Sequence, residues 1–427
     1  MLRVTSIHGG SPSGGGGGSA RAVAAYLTEY LTAAKEEPGM WVGEPASRLG
    51  LVGIVDRADL VSVLEGRDPR DGTRLGRAFV ERVLADGRVV RPVIGFDATF
   101  SAPKSVSVMW ALTGDAGWAD AHDAAVRAVI GHLQRHAATT RVRTKGGRDY
   151  PDTGGLIVAA FRQHTSRADD PQLHTHTFIS SKVQTEDGGW WALDARYLKR
   201  YQRALGGLYQ TVLRSELTAR YGVEWGPVVN GQAELAAVPA ELIEQFSKRT
   251  GQVDTVLDTK IEAFTTRNGR APTSYERAAL TREAALDSRT AKSGLTQQDL
   301  TVEWDAQARG LGWDPARLTQ HVTPAGQLRA ARQALGSLGA VAVTQQWVTG
   351  LGAPGEVFDQ LTSHRSTAST WHRGDVVRAV TDLAVAAGGD GGGAVGAAGG
   401  AGRGPLRGGA VLVARPARQH QGGAGVG

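Results

Sequence analysis

The chain has 427 residues, enough to bury a full core and to hold two domains or one large one. Its 48 Lys and Arg against 42 Asp and Glu give a formal charge of +6, a mild excess that suits a polyanionic partner such as nucleic acid. Cysteine is absent, which excludes disulfides, thiolate metal sites and cysteine nucleophiles and leaves His, Asp, Glu or backbone oxygen as expected metal donors.

MLRVTSI at the start reads as a short strand, followed by the Gly/Ser loop SPSGGGGGS. From Ala20 to Ala34 the text is Ala/Leu-rich without Gly or Pro and predicts a helix, with Tyr26 and Tyr30 four apart on one face. Residues 38–76 are turn-rich. RAFVERV, an Asp86-Gly87 turn and RVVRPVIGFDATFSAPKSVSVMWAL then predict a hairpin feeding a long strand system. The stretch 119–138 reads as helix, and its His132 and His136 as a solvated face, because no Glu base lies between them. RVRTKGGRDYPDTGG predicts a basic ribbon with Gly146-Gly147 at its tip. GLIVAAFRQH and LHTHTFISSKV read as two strands, and an EDGG turn leads into WWAL. Helix is expected over 194–221 and throughout 239–310. After about Ala384 the Gly/Ala/Arg-rich text has no hydrophobic period and predicts disorder; GC-rich DNA read out of frame would have this composition. No stretch reaches the length of a membrane span and no secretory signal pattern is present, so the expected location is the cytoplasm, with no membrane partner.

Chemistry concentrates in three places. His174 and His176 are two apart on a strand, so both imidazoles share a face, and His164 would complete a triad if the preceding strand pairs with theirs. Three neutral imidazoles leave a divalent metal its full charge, which suits a Lewis acid acting on phosphate; HTH also occurs as a satisfied polar pair on a half-buried strand. A phenol such as Tyr26 or Tyr30 can attack a phosphodiester and keep the bond energy in a phosphotyrosine, although two tyrosines at helical spacing ordinarily pack. In GFDATFSAPKS, Asp97 faces away from Phe96, Ala98 and Phe100, where it would hold a ligating His or take the tyrosine proton; Lys104 would pair with phosphate as a point charge. Arg141, Arg143 and Lys145 on the ribbon, with Arg162 and Arg167 beside the histidines, are the further candidate DNA contacts. Trp190 and Trp191 offer stacking faces for an unpaired base, or core packing. No GxxxxGK[ST] loop for ATP is present.

Taken together, FRQHTSRADDPQLHTHTFI, GFDATFSAPKSVSV, the N-terminal tyrosine pair and WWALDARYLKRYQRALGGLYQTVLRSEL resemble the TrwC/TraI-type (MobF) conjugative relaxases, especially the actinobacterial branch, from Met1 to about residue 320. The resemblance implies an α+β fold of the HUH-endonuclease relaxase form: an antiparallel sheet flanked by helices, with a helical fingers region over 239–310. It implies His164, His174 and His176 as ligands of a divalent metal (Mg2+ or Mn2+, with Zn2+ or Ni2+ as alternatives) and Asp97 as the acid beside them. Tyr26 would attack the nick-site phosphate to leave a 5′-phosphotyrosine, with Tyr30 in a second transfer. The implied partners are origin-of-transfer DNA, single-stranded at the nick, and accessory relaxosome and coupling proteins. The expected organisation is a relaxase domain over 1–320, a linker and the start of a truncated helicase region over 321–383, and a tail over 384–427. The alternatives are a non-catalytic origin-binding remnant and a rolling-circle initiator; in the latter the tyrosine usually follows the histidines.

Overall fold

The computed structural model describes residues 1–9, 17–18, 20–25, 27, 37–144, 146–289, 293 and 295–314. Tyr26, Tyr30, Lys145 and the expected helicase start and tail lie outside them.

In chain order the first elements are β1 (Leu2–Gly9), β2 (Gly17–Gly18), α1 (Ala20–Ala25), β3 (Met40–Val42), α2 (Glu44–Arg48) and α3 (Arg57–Leu64). Next come the hairpin β4 (Arg82–Val83) and β5 (Val89–Val90), then β6 (Val93–Ser101), α4 (Lys104–Thr113) and α5 (Gly117–His136). The ribbon β7 (Val142–Thr144) and β8 (Gly147–Asp149) leads to β9 (Val158–Thr165), β10 (Pro171–Ser180), β11 (Lys182–Gln184) and β12 (Trp190–Ala192). Helices follow: α6 (Arg196–Arg200), α7 (Gln202–Tyr221), α8 (Ala240–Gln245), α9 (Lys248–Asn268), α10 (Ser274–Asp287) and α11 (Gln297–Gly310).

The main sheet has the order β2-β1-β6-β10-β9-β3, antiparallel except for β1 with β2. Period-two alternation decides what each face carries. On β6, Phe96, Ala98 and Phe100 point into a core with Trp118 and Leu133 of α5 and Leu208, Tyr209 and Leu213 of α7, while Asp97, Thr99 and Ser101 point the other way and are half-buried. Each apolar side chain fully buried there contributes about 1.5–3 kcal/mol. The opposite face has its own smaller core, in which Phe161 and Phe178 meet Val23, Ala24 and Leu27 around α1 and Leu60, Val63 and Leu64 of α3. Gly95 lets β6 pass Phe178: a Cβ there would sit 2.3 Å from that ring.

SVSVMWAL, expected as strand, is the helix α4. Its β-branched run favours strand locally, but Val106, Val108, Met109 and Trp110 are all buried against other elements, and tertiary burial overrides propensity. Gly114 ends this helix in the left-handed conformation at φ +64°. The turn-rich stretch 38–76 contains β3, α2 and α3. Both expected hairpins form: β4 pairs β5 across Asp86-Gly87, and β7 pairs β8. His132 is no solvated residue either, since it is buried with its Nε2 3.2 Å from the Tyr197 hydroxyl.

Beyond α8 the helices carry charged faces. In α9 and α10 only Leu257 and Ala284 are buried, so this pair projects from the body; Lys260 binds Glu283 and Asp287 across it. Thr273 and Glu276 close a capping box on α10, as Thr296 and Asp299 do on α11.

Candidate metal and DNA site

The antiparallel register sets His176 of β10 opposite Thr99 of β6 and Phe178 opposite Asp97, so these side chains share one face. On that face the Nδ1–H of His176 donates to the Asp97 carboxylate, at 2.9 Å to Oδ2 and 3.1 Å to Oδ1, with Thr99 Oγ1 3.3 Å from the same nitrogen. His174, two residues back, has its Nδ1 2.8 Å from the carbonyl oxygen of Gln172. A carbonyl only accepts, so Nδ1 carries the proton there too. Both rings therefore turn an Nε2 lone pair away from their anchors, the tautomer that a metal-ligating histidine needs. Their centroids lie 5.3 Å apart at 71°.

The third expected ligand is not on this face. Across β9–β10, His174 pairs with Gln163 and His176 with Phe161, and a register shift falls between Pro171 and His174. Alternation then sends Gln163 toward His174 and His164 the other way. The His164 ring stacks on Trp110 of α4, 4.7 Å between centroids and 12° between planes, with its Nε2 3.9 Å from the Glu37 carboxylate. Gln163 places its amide oxygen 3.1 Å from His174 Nε2. Among the described residues no three His, Asp, Glu or Cys side chains converge on one point.

Two expected phosphate contacts are engaged elsewhere. Lys104 donates from Nζ to the Pro171 carbonyl at 2.8 Å, and its burial lowers the ammonium pKa to about 8. It braces the start of β10. Arg162 is bound by Asp123 at 2.6 Å and by Glu37, so two carboxylates cover its guanidinium. Arg167 is half-buried in the turn between β9 and β10, where Asp169 adopts φ 56°. Arg141, Arg143 and Arg148 stand exposed on and beside the ribbon.

Sequence reasoning did not pick out the fastening of that turn. Lys248 Nζ lies 3.4 Å from the buried Asp170 carboxylate, and Trp304 of α11 donates from its indole to the Asp169 carbonyl at 2.8 Å. The DD pair before Pro171 is its only sequence trace. Trp190 and Trp191 are half-buried on β12, and Trp190 lines a cavity of about 220 Å³ with Arg48, Arg70 and Lys182.

The donor set fits a divalent cation: two imidazole lone pairs and an amide oxygen beside a carboxylate that neutralises charge. Comparison with known proteins agrees. Residues 19–311 match the TrwC relaxase family. The multifunctional conjugation proteins TraI of Escherichia coli and of its strain K12 are each 34% identical over 286 residues, which is 64% of this chain and 14% of theirs. The chain thus spans about a seventh of the length of those relatives. A metal-bound structure of the conjugative relaxase TrwC in complex with oriT DNA is similar over 74% of this chain and all of its own, at 31% identity and a TM-score of 0.59. TrwC complexed with a 27-mer DNA comprising the recognition hairpin and the cleavage site is similar at 30% identity and a TM-score of 0.58. With the family matched across every strand from β6 to β12, and the paired histidines and their carboxylate standing inside that match, this chain belongs to the TrwC relaxase family.

Proposed function

We propose that this chain nicks one strand of an origin of transfer and holds the cut end covalently, as a metal-dependent tyrosine transesterase. The observation that carries the reading is the pair His174 and His176, each with Nδ1 tied and Nε2 presented, beside Asp97. The tyrosines come before these histidines in the chain, which favours a relaxase over a rolling-circle initiator.

The Tyr26 hydroxyl oxygen attacks the scissile phosphorus. A P–O bond to Tyr26 forms, the bond to the 3′ oxygen breaks, and the 3′-hydroxyl leaves with a proton. Tyr30 serves the second transfer that rejoins the strand. A divalent ion, Mg2+ or Mn2+ in the cell, would be held by His174 and His176 and would supply Lewis-acid polarisation of the phosphate. Asp97 acts by fixing the ring of His176 and supporting its basicity. α1, whose Val23 and Ala24 pack into the core on the histidine face, runs in sequence straight into Tyr26. The exposed arginines of the ribbon hold the duplex by its phosphates, and the projecting α9–α10 pair closes over the unpaired strand. Residues 1–320 form the working unit, acting in the cytoplasm with accessory relaxosome and coupling proteins.

The test is incubation with an end-labelled single-stranded origin oligonucleotide and Mn2+, followed by a denaturing gel. A slow-migrating covalent band is expected from the unaltered chain and none from Tyr26→Phe, with DNA binding kept. A band that persists in Tyr26→Phe would move the first attack to Tyr30. Tight binding with no band from the unaltered chain would leave an origin-binding protein without catalysis.

A further inference from the structure

We propose that the third protein ligand of the metal is the side-chain amide oxygen of Gln163, and that the neighbouring His164 does not ligate. The inference rests on the metal-site reading above and refines its donor set.

The register is the first argument. Gln163 pairs with His174 and shares its face, whereas His164 belongs with Arg162, whose guanidinium reaches Asp123 of α5. Bringing His164 to the metal would need β9 to slip by one residue, turning Phe161 out of its core and pulling Arg162 from Asp123. Burial of Phe161 on one face and the stacking of His164 on Trp110 on the other both oppose that slip.

The second argument is the chemistry of the contact. His174 places its Nδ1 2.8 Å from the Gln172 carbonyl, which leaves Nε2 as the ring nitrogen that faces the site. It faces the amide oxygen of Gln163 at 3.1 Å. The two atoms stand close enough for one cation to join them. Neighbouring donors of an octahedral ion with bonds of about 2.1 Å lie about 3 Å apart, which matches the observed spacing. Turning the amide by half a rotation puts its NH2 toward Nε2 instead and makes an ordinary hydrogen bond, the arrangement that suits the metal-free protein.

The consequence concerns which metal binds. Three imidazoles favour Zn2+, Ni2+ or Cu2+ by ligand softness, whereas replacing one by a neutral oxygen moves preference toward Mn2+ and Mg2+. Competition from the metal-free hydrogen bond weakens binding further. This site is therefore tuned to abundant hard cations held loosely.

The experiment is a titration of the purified full chain without DNA, following the EPR signal of free Mn2+ and, in parallel, calorimetric binding of Ni2+. Gln163→Ala should weaken Mn2+ binding at least tenfold, no less than is lost when a supporting partner of a ligand is removed. Gln163→His should tighten Ni2+ relative to Mn2+ by about tenfold or more. His164→Ala should leave both affinities within about twofold, well inside those losses. The gain expected from Gln163→His cannot be mimicked by misfolding. A tenfold loss in His164→Ala with Gln163→Ala unaffected would overturn the assignment. His174→Ala separates the two layers of the argument: Mn2+ binding unchanged in that variant would sink the metal site itself, whatever Gln163 does.

Discussion

Strand β10 separates two histidine environments one residue apart. Thr175 points into the larger core, where His122 of α5 uses both ring nitrogens: Nδ1 lies 2.6 Å from the Tyr209 hydroxyl and Nε2 2.7 Å from Thr175 Oγ1. His174 and His176 point the opposite way: each anchors Nδ1, to the Gln172 carbonyl and the Asp97 carboxylate, and His174 turns its Nε2 to the Gln163 amide at 3.1 Å. A histidine with both nitrogens occupied by hydroxyls inside a core is a structural brace. One with Nδ1 anchored and Nε2 turned toward a further donor atom is prepared for a metal. The bonding of the second nitrogen, rather than the residue type or its burial, distinguishes the two.

The largest effect should come from damaging the closed face. Phe100 is fully buried, with its ring 5.4 Å from that of Tyr209. Phe100→Ala should cost about 3–5 kcal/mol of stability, through lost burial and the cavity left behind. Urea unfolding measures it, and a loss under about 1 kcal/mol would mean that this face is less tightly packed than the core implies. The open face should respond differently. Asp97→Ala removes the anchor of His176 from a half-buried position and should leave the unfolding midpoint nearly unchanged. Metal affinity should fall about 10- to 100-fold, or about 1.4–2.7 kcal/mol. Asp97→Asn should recover part of the loss, because its amide oxygen still accepts from Nδ1. Equal affinities for Asp97→Ala and the unaltered chain would remove Asp97 from the metal site.

Much of this contrast was legible before any coordinates. The alternation of Phe96, Ala98 and Phe100 against Asp97 places the carboxylate on its face, and HTH places two rings together. Two hairpins follow from Asp86-Gly87 and Gly146-Gly147. What failed was register. A histidine at 164 and a glutamine at 163 differ by one residue, and that residue reverses the face in a strand. Nothing local announces the shift between Pro171 and His174 that settles which of them meets His174. Composition points to imidazoles, carboxylates and backbone oxygen as donors, and a side-chain amide such as that of Gln163 gives no comparable signal. Arg162 and Lys104 read as phosphate contacts because sequence shows charge but not the carboxylates and carbonyls that the fold brings to it. The helix α4 departs from the strand expectation for a related reason: its β-branched residues favour strand unless their all-round burial is known.

The smallest expected effect sharpens the comparison most. Burial, with the positive charge of Arg162 nearby, holds the His122 pKa well below its ordinary 6.5. Above pH 6.5 the ring is neutral both folded and unfolded, so it adds no pH dependence there. As pH falls through 6.5 the unfolded chain takes up a proton that the folded one refuses, and stability is lost. By pH 5.5 this one group should have removed about 1.4 kcal/mol. Other groups titrate in the same window, so the measurement is a difference: urea midpoints at pH 7.5 and 5.5 for the unaltered chain and for His122→Gln. Glutamine still offers a donor and an acceptor to Tyr209 and Thr175 but cannot titrate. The variant should lose less stability on acidification, by about 1.4 kcal/mol, even where it is less stable at pH 7.5. Parallel pH profiles in the two proteins would show that His122 takes up its proton while folded. The hydroxyls of Tyr209 and Thr175 would then not be locking a neutral ring, and the distinction between the two faces would rest on the open one alone.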